Sequence, residues 1–134
     1  MIRSERASIS AFVAVVALGL IMVAGMAYDG GRIVAAQATA RDLASSAARA
    51  GAQEVDLDHL RSTGETRLDP GRALAAAEGF LAREAVVATA RVEGASVTVT
   101  VSVRQPMLIL PVGDRVVSAT DTATAVDAPL GAGP

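Results

Sequence analysis

The side chains that could carry chemistry are few, and several of them lie in one segment. Glu54, Asp56, Asp58 and His59 fall within six residues and could offer a metal ion three carboxylates and an imidazole. Their spacing lacks the glycine-punctuated pattern of a calcium loop. The chain has one histidine and no cysteine, so it has no second nitrogen or sulfur ligand of the kind zinc prefers. We interpret the cluster as a solvated acidic turn and predict neither a metal site nor a cofactor.

Catalysis is disfavoured by the same shortage of residues. His59 would have to act as the base for a serine, but it lies in a charged segment containing glycine that is typical of a linker. No glycine-rich phosphate loop follows a predicted strand. A net charge of −2 provides no basic surface for nucleic acid. The sequence therefore predicts a protein that is not an enzyme and does not bind nucleic acid.

The apolar residues must serve another purpose, and their composition is unusual. Of the 134 residues, 51% are hydrophobic but only 2% are aromatic. Aromatic side chains dominate the cores of most domains because each ring buries a large area. Here either the core is small and built on alanine and valine, or part of the apolar surface faces something other than a core.

Residues 7–28 account for much of this surface. They form an uncharged run of 22 residues, ASISAFVAVVALGLIMVAGMAY, which as a helix reaches about 33 Å and can span a bilayer. Arg3 and Arg6 precede the run and Asp29 follows it. By the positive-inside rule, residues 1–6 are a cytoplasmic tail and the chain from Asp29 onward is extracytoplasmic. The sequence thus predicts a single-pass protein of the cell membrane with the lipid bilayer as a partner.

A cleaved signal peptide is the alternative interpretation of the same run. Gly25 and Ala27 place small residues at the −3 and −1 positions before Tyr28. The product would be an exported soluble module that binds a ligand or protein on its sheet. Signal peptides usually have apolar regions of about 7–15 residues, so the longer run favours a retained anchor.

Residues 29–54 are predicted to continue the helix outside the membrane. The segment is rich in alanine, the strongest helix former, and contains no proline. Gly30 and Gly31 mark a point where the helix could bend. A stripe of small apolar residues repeats at steps of three and four, and it consists of Ile33, Ala36, Ala40, Leu43, Ala47 and Ala50. Such a seam either packs on the chain's own domain or mates with a partner helix, and different halves could do each.

This N-terminal pattern resembles a known family. A basic tail, an apolar span, Asp29-Gly30-Gly31-Arg32 and the alanine-rich residues 47–52 look like the TadE/TadG-like proteins of the tight-adherence (Flp) pilus machinery. The resemblance implies a membrane-anchored, pilin-like structural or assembly subunit of a pilus or related secretion apparatus. It implies other pilin-like or pilus-assembly subunits as partners, with a homo-oligomer as one form of association.

One departure from the pilin pattern narrows this resemblance. Members processed by a prepilin peptidase carry a glycine before the cleavage site and a glutamate early in the apolar segment. Residues 6–12 contain no glycine, and Ala11 stands where the glutamate is expected. The resemblance therefore implies an uncleaved, TadG-like anchor rather than a polymerising major pilin.

Beyond the helix, residues 55–69 are predicted as a linker, residues 70–128 as a small α+β domain and residues 129–134 as a flexible tail. Asp69-Pro70 is a helix start signal, and the helix is expected to run through Glu84. Its apolar face consists of Ala73, Leu74, Ala77, Phe80 and Leu81.

Alternating valines predict the sheet. Val97, Val99, Val101 and Val103 alternate with polar residues, and a two-residue type II′ turn at Gly94-Ala95 pairs Val92 with Val97, Ala90 with Val99 and Ala88 with Val101. A third strand is expected over residues 115–126, with Asp121 interrupting its apolar face as an edge device or bulge. The predicted fold is thus α+β and membrane-anchored, with a short helix packed on a three-stranded antiparallel sheet in a pilin-like layout.

An apolar loop joins the second and third strands. Residues 106–112 read PMLILPV, with Pro106 and Pro111 on either side of the four apolar residues 107–110. One interpretation is that the loop closes the open end of the sheet and fills the core. The other is that Met107, Leu108, Ile109 and Leu110 form a docking patch for another subunit or touch the outer leaflet, because contiguous exposed apolar surface usually indicates contact.

Overall fold

A long helix dominates the molecule. The computed structural model describes the backbone of residues 2–109 and 113–126, with side chains from residue 8 onward. Helix α1 (Ile2–Ala52) has 51 residues and therefore extends about 77 Å. It passes through Gly30 and Gly31 without interruption. The apolar run and the alanine-rich extension thus form one continuous helix.

The segment predicted as a linker contains local structure. Helix α2 (Leu57–Thr63) begins after Asp56, whose carboxylate accepts from the amides of Asp58 and His59, and ends at Gly64 with φ 77°. Val55 pairs with Leu68 in an isolated antiparallel bridge, and Leu68 is fully buried. The interpretation of the segment as a solvated connection is therefore wrong at Leu68, which belongs to the core.

Helix α3 (Pro70–Leu81) begins where the sequence predicts. The Asp69 side chain accepts from the amide of Arg72, and Pro70 occupies the first turn, where its missing N–H is harmless. The helix ends at Leu81 rather than Glu84. Its buried stripe is narrower than predicted and consists of Ala73, Ala77 and Leu81, while Phe80 at the edge of the stripe is 41% exposed.

Three antiparallel strands form one sheet in the order β1-β2-β3. They are β1 (Val87–Glu93), β2 (Ser96–Gln105) and β3 (Arg115–Thr124). The predicted hairpin register is confirmed, with Val92 opposite Val97 and Ala90 opposite Val99. Gly94 has φ 59°, and among the described residues every positive φ belongs to glycine. A type I′ turn, which needs positive φ at both central residues, is thus excluded, and the type II′ turn fits.

The two faces of the sheet differ in chemistry. On one face Val97, Val99 and Val101 are fully buried. On the other, four pairs of hydroxyls from β2 and β3 hydrogen-bond across the strands at 2.8–2.9 Å. We call these pairs the hydroxyl ladder; they are Ser96 with Thr124, Thr98 with Thr122, Thr100 with Thr120 and Ser102 with Ser118. Each such cross-strand pair contributes roughly 0.2–1 kcal/mol, so polar pairing stabilises the face that has no helix cover.

The core lies between the sheet and the second half of α1. Buried alanines of α1 and α3 meet the β2 valines and Leu68. Because the core is built on small side chains rather than aromatic ones, the helices and the sheet pack closely together. A Cβ on Gly51 of α1 would lie 2.9 Å from the carbonyl oxygen of Ala73 and 3.1 Å from Cγ2 of Val97. The α+β class with a long apolar N-terminal helix is confirmed, and α1 itself supplies one wall of the core.

Candidate functional site at the helix–loop junction

The first half of α1 carries an exposed apolar surface. Between residues 8 and 28 its large side chains lie outside the folded domain, and they include Ile9, Phe12, Val13, Val16, Leu18, Leu20, Ile21, Met22, Val23 and Met26. By length and composition the helix is able to cross a membrane, a test that signal sequences near an N-terminus also pass. The apolar surface surrounds the helix, which distinguishes it from an amphipathic helix with one buried stripe.

This surface ends at a buried aspartate. Asp29 is fully buried, and its Oδ1 and Oδ2 accept hydrogen bonds from the amides of Leu108 at 3.3 Å and Ile109 at 3.1 Å. A buried carboxylate is costly unless hydrogen bonds satisfy it. Asp29 therefore holds the β2–β3 loop against the helix at the end of the apolar run.

Arg32 makes a second attachment one turn later. Its Nη1 donates to the carbonyl oxygen of Pro106 at 3.1 Å. With the Gln105 amide oriented so that both its ends are satisfied, its oxygen accepts from Nη2 and Nε of Arg32 at 2.8 and 3.2 Å. The guanidinium also lies 6.0 Å from the centre of the Tyr28 ring, within the range of a cation–π interaction.

Gly25 allows the loop to approach the helix. A Cβ at this position would lie 2.5 Å from Cγ2 of Ile109, closer than two carbons can pack. Among the residues that the structure describes, no atom lies within 4 Å of a Cβ added at Gly30 or Gly31. In the motif Asp29-Gly30-Gly31-Arg32 it is therefore the two charged residues that contact the loop. We call Gly25, Asp29, Arg32 and residues 105–109 the helix–loop junction.

The predicted docking patch is part of this junction. Met107 is half-buried, whereas Leu108 is 64% and Ile109 51% exposed; Leu110 and the predicted tail of residues 129–134 lie outside the described residues. The interpretation that the loop fills the core is wrong for Leu108 and Ile109. Their amides are bound to Asp29 of α1. Ile109 also packs its Cγ2 atom against Gly25, and more than half of each side chain remains exposed.

The predicted helix-association seam lies within the folded domain. Its buried members are Ala36, Ala40 and Ala47, and its half-buried members are Ile33, Leu43 and Ala50. This half of α1 packs on β2 and β3. The three alanines are buried within the chain's own domain, so the interpretation of these positions as a surface for a partner helix is wrong. Heptad spacing identifies an apolar stripe but not what covers it.

The acidic cluster and Asp121 have local structural roles. The Asp56 carboxylate is the N-cap of α2, and Asp58 lies 3.5 Å from Arg61 in an exposed pair. Asp121 lies on edge strand β3 opposite Val99, and its Oδ1 accepts from the Thr122 amide at 2.8 Å.

Sequence reasoning missed the contact between Asp29 and the loop, because its two ends are about 80 residues apart. A charge directly after an apolar run was the only signal of it in the sequence.

The comparison with known families agrees with the sequence resemblance. Residues 7–54 match the Tad family model, described as Flp pilus-assembly TadE/G-like. The matched segment contains the apolar run, Asp29, Arg32 and the half of α1 that packs on the sheet. No curated protein and no solved structure matches the chain significantly. The resemblance is thus confirmed over these residues, and the match supports a pilus-related role.

Proposed function

We propose that this chain, with its TadE/G-like N-terminal segment, is a single-pass, membrane-anchored structural or assembly subunit of a tight-adherence pilus or a related secretion apparatus. The observation that carries the proposal is the exposed apolar surface on residues 8–28 of α1, which continues without a break into the half that builds the domain core. The subunit acts by association and not by catalysis.

The exposed side chains support the anchor. A soluble protein rarely leaves a contiguous apolar patch larger than a few hundred Å² in water. Here a run about 33 Å long is apolar on all sides, and lipid is the environment in which such a surface is stable. Arg3 and Arg6 before the run support a cytoplasmic N-terminus, which leaves the sheet and α3 outside.

Lateral association is then assigned to the span. Ala36, Ala40 and Ala47 are buried in the chain's own domain, and the part of α1 that is exposed on every side lies within residues 8–24. A Cβ added at Gly19 in that stretch would have no neighbour within 4 Å among the described residues, and small residues let helices in lipid approach closely. The partners we propose are the spans of other pilus subunits, including further copies of this chain.

A non-enzymatic role is part of the proposal. The sole histidine, His59, lies in the short helix α2, and its backbone amide is bound by the Asp56 cap. A histidine acting as a base requires a nucleophile within hydrogen-bond reach, and the hydrogen bonds at His59 involve its backbone amide and carbonyl.

Single cysteines test the proposal in cells, since the chain contains none. Val126→Cys, at an 87% exposed site, should react with a membrane-impermeant maleimide in intact cells. Leu20→Cys in the span should form a disulfide or bifunctional crosslink to another membrane subunit under oxidising conditions. Val126→Cys should give no such adduct and serves as the matched control. Labelling of Val126→Cys only after lysis, or no adduct from Leu20→Cys or from neighbouring span positions, would contradict the proposal.

A further inference from the structure

We propose that the β2–β3 loop is a second membrane contact: Leu108 and Ile109 enter the outer leaflet beside the span, and the helix–loop junction holds them there. This inference rests on the proposed membrane anchor. The occupant of the exposed loop surface is the acyl-chain region of the bilayer, with headgroups around Arg32 and Tyr28.

The position of the loop along α1 indicates how deep Leu108 and Ile109 would lie in the bilayer. Ile109 contacts Gly25, which lies three residues inside the end of the apolar run, or about 4.5 Å along the helix axis. A side chain packed against Gly25 is therefore level with the last turn of the span. If the span is in the bilayer, Ile109 is at the edge of the hydrocarbon.

The exposed apolar surface is continuous across the helix and the loop. Leu108, Ile109 and Val116 at the start of β3 are exposed beside Met26 of the span. A cleft lined by Met26, Met107 and Val116, among others, joins the loop to the helix. Because the loop surface continues the proposed lipid-facing surface of the span, it faces lipid as well.

The backbone of the loop is adapted to a place with little water. In a bilayer each unsatisfied N–H costs several kcal/mol. The amides of Leu108 and Ile109 donate to the buried Asp29 carboxylate, and Pro106 has no N–H. A loop built to fill a protein core would bury its side chains, whereas here the amides of Leu108 and Ile109 are bonded to Asp29 and their side chains are exposed.

Two residues suited to the headgroup region, Tyr28 and Arg32, lie just beyond the hydrocarbon level of the span. Tyr28 is the last residue of the run, and tyrosine is enriched at membrane interfaces. Arg32 lies one turn further out, over the Tyr28 ring and bonded to the loop. Because α1 is one continuous helix that forms part of the domain core, a second contact through the loop would restrict the tilt of the outer domain relative to the membrane surface.

Tryptophan fluorescence tests the inference, because the chain contains no tryptophan. Three full-length variants are reconstituted into phosphatidylcholine vesicles: Leu108→Trp in the loop, Val126→Trp at the far end of the sheet and Val23→Trp in the span. Each is quenched by acyl-chain-brominated lipid and, separately, by aqueous acrylamide. Circular dichroism checks that each variant is folded, and Leu108→Cys carrying an environment-sensitive dye gives a second readout.

The inference predicts that Leu108→Trp and Val23→Trp are quenched by brominated lipid and protected from acrylamide, while Val126→Trp shows the reverse. If Val23→Trp is lipid-quenched but Leu108→Trp behaves like Val126→Trp, the loop contact is overturned and the anchor stands. If Val23→Trp is itself quenched by acrylamide, the proposed anchor fails. Protection of Leu108→Trp from both quenchers would mean that protein covers the loop, and would also overturn the inference.

Discussion

The amide of Ile109 donates to Oδ2 of Asp29 at 3.1 Å across 80 residues of sequence. Together with the Leu108 amide on Oδ1, this bond ties the β2–β3 loop to the end of the apolar half of α1. It links the span, on which the proposed function depends, to the loop, on which the proposed second membrane contact depends. The consequences of removing it can be measured directly.

Removing the carboxylate should release the loop. Asp29→Ala leaves the two amides without this acceptor, and each unsatisfied buried group costs about 1–3 kcal/mol. We expect faster hydrogen exchange at residues 108 and 109 and a loss of about 2 kcal/mol or more in the free energy of unfolding. Asp42→Ala, at an exposed aspartate of the same helix, is the control and should change stability by less than about 0.5 kcal/mol. Equal exchange in both variants would argue against the junction.

Adding one methyl group at Gly25 should displace Ile109. The new Cβ of Gly25→Ala would overlap with Cγ2 of Ile109, so the loop has to move. Gly19→Ala is a matched control in the same run, because the new Cβ meets no described atom within 4 Å, and alanine favours the helix by about 1 kcal/mol. Loop protection measured by hydrogen exchange should fall in the first variant and stay unchanged in the second. Identical protection in both would show that Gly25 is not a packing contact.

Enlarging Ala40 should damage the fold and not only an assembly contact. Ala40 is fully buried in the half of α1 that packs on the domain, and inserting extra methylenes into a packed core costs about 1–3 kcal/mol. Ala40→Leu should therefore lower the unfolding midpoint in denaturant, whereas Ala38→Leu on the exposed side of α1 should not. A variant Ala40→Leu of normal stability that fails only to associate would restore the partner-helix interpretation.

The outer domain should depend on α1 for stability. The alanines of α1 form one wall of a core that otherwise consists of β2 valines, one short helix and Leu68. We expect a fragment of residues 55–134 to melt without a cooperative transition, and a fragment of residues 32–134, which keeps the packed half of the helix, to melt cooperatively. Differential scanning calorimetry distinguishes them. Cooperative melting of residues 55–134 at high temperature would refute the dependence.

Local patterns predicted the elements whose signals are local. Gly94 between two alternating runs gives both the turn and the register, because a slip of one residue would turn the valines outward. Asp69-Pro70 gives the start of α3 for a similar reason, since a cap and a fixed φ act within one turn. The pattern in residues 7–54 was sufficient to indicate a resemblance to the TadE/G-like family over that segment.

Contacts between distant segments could not be predicted in this way. Asp29 looked like a flanking charge, and nothing near it in sequence indicates that its partners are the amides of Leu108 and Ile109. Leu68 is a single apolar residue in a polar segment, so periodicity gives no sign of its burial. The alanine stripe was visible, but a repeat of small residues fits a sheet as well as it fits a partner helix.

The most direct test of the account is the intact mass and location of the mature protein. Membranes from expressing cells are extracted at alkaline pH. The intact mass of the chain is then measured by mass spectrometry in the pellet and in the supernatant. The account predicts a chain that retains residues 7–28 and stays in the membrane pellet. A chain that begins at Tyr28 and is released into the soluble fraction would contradict it, and would favour an exported binding module instead.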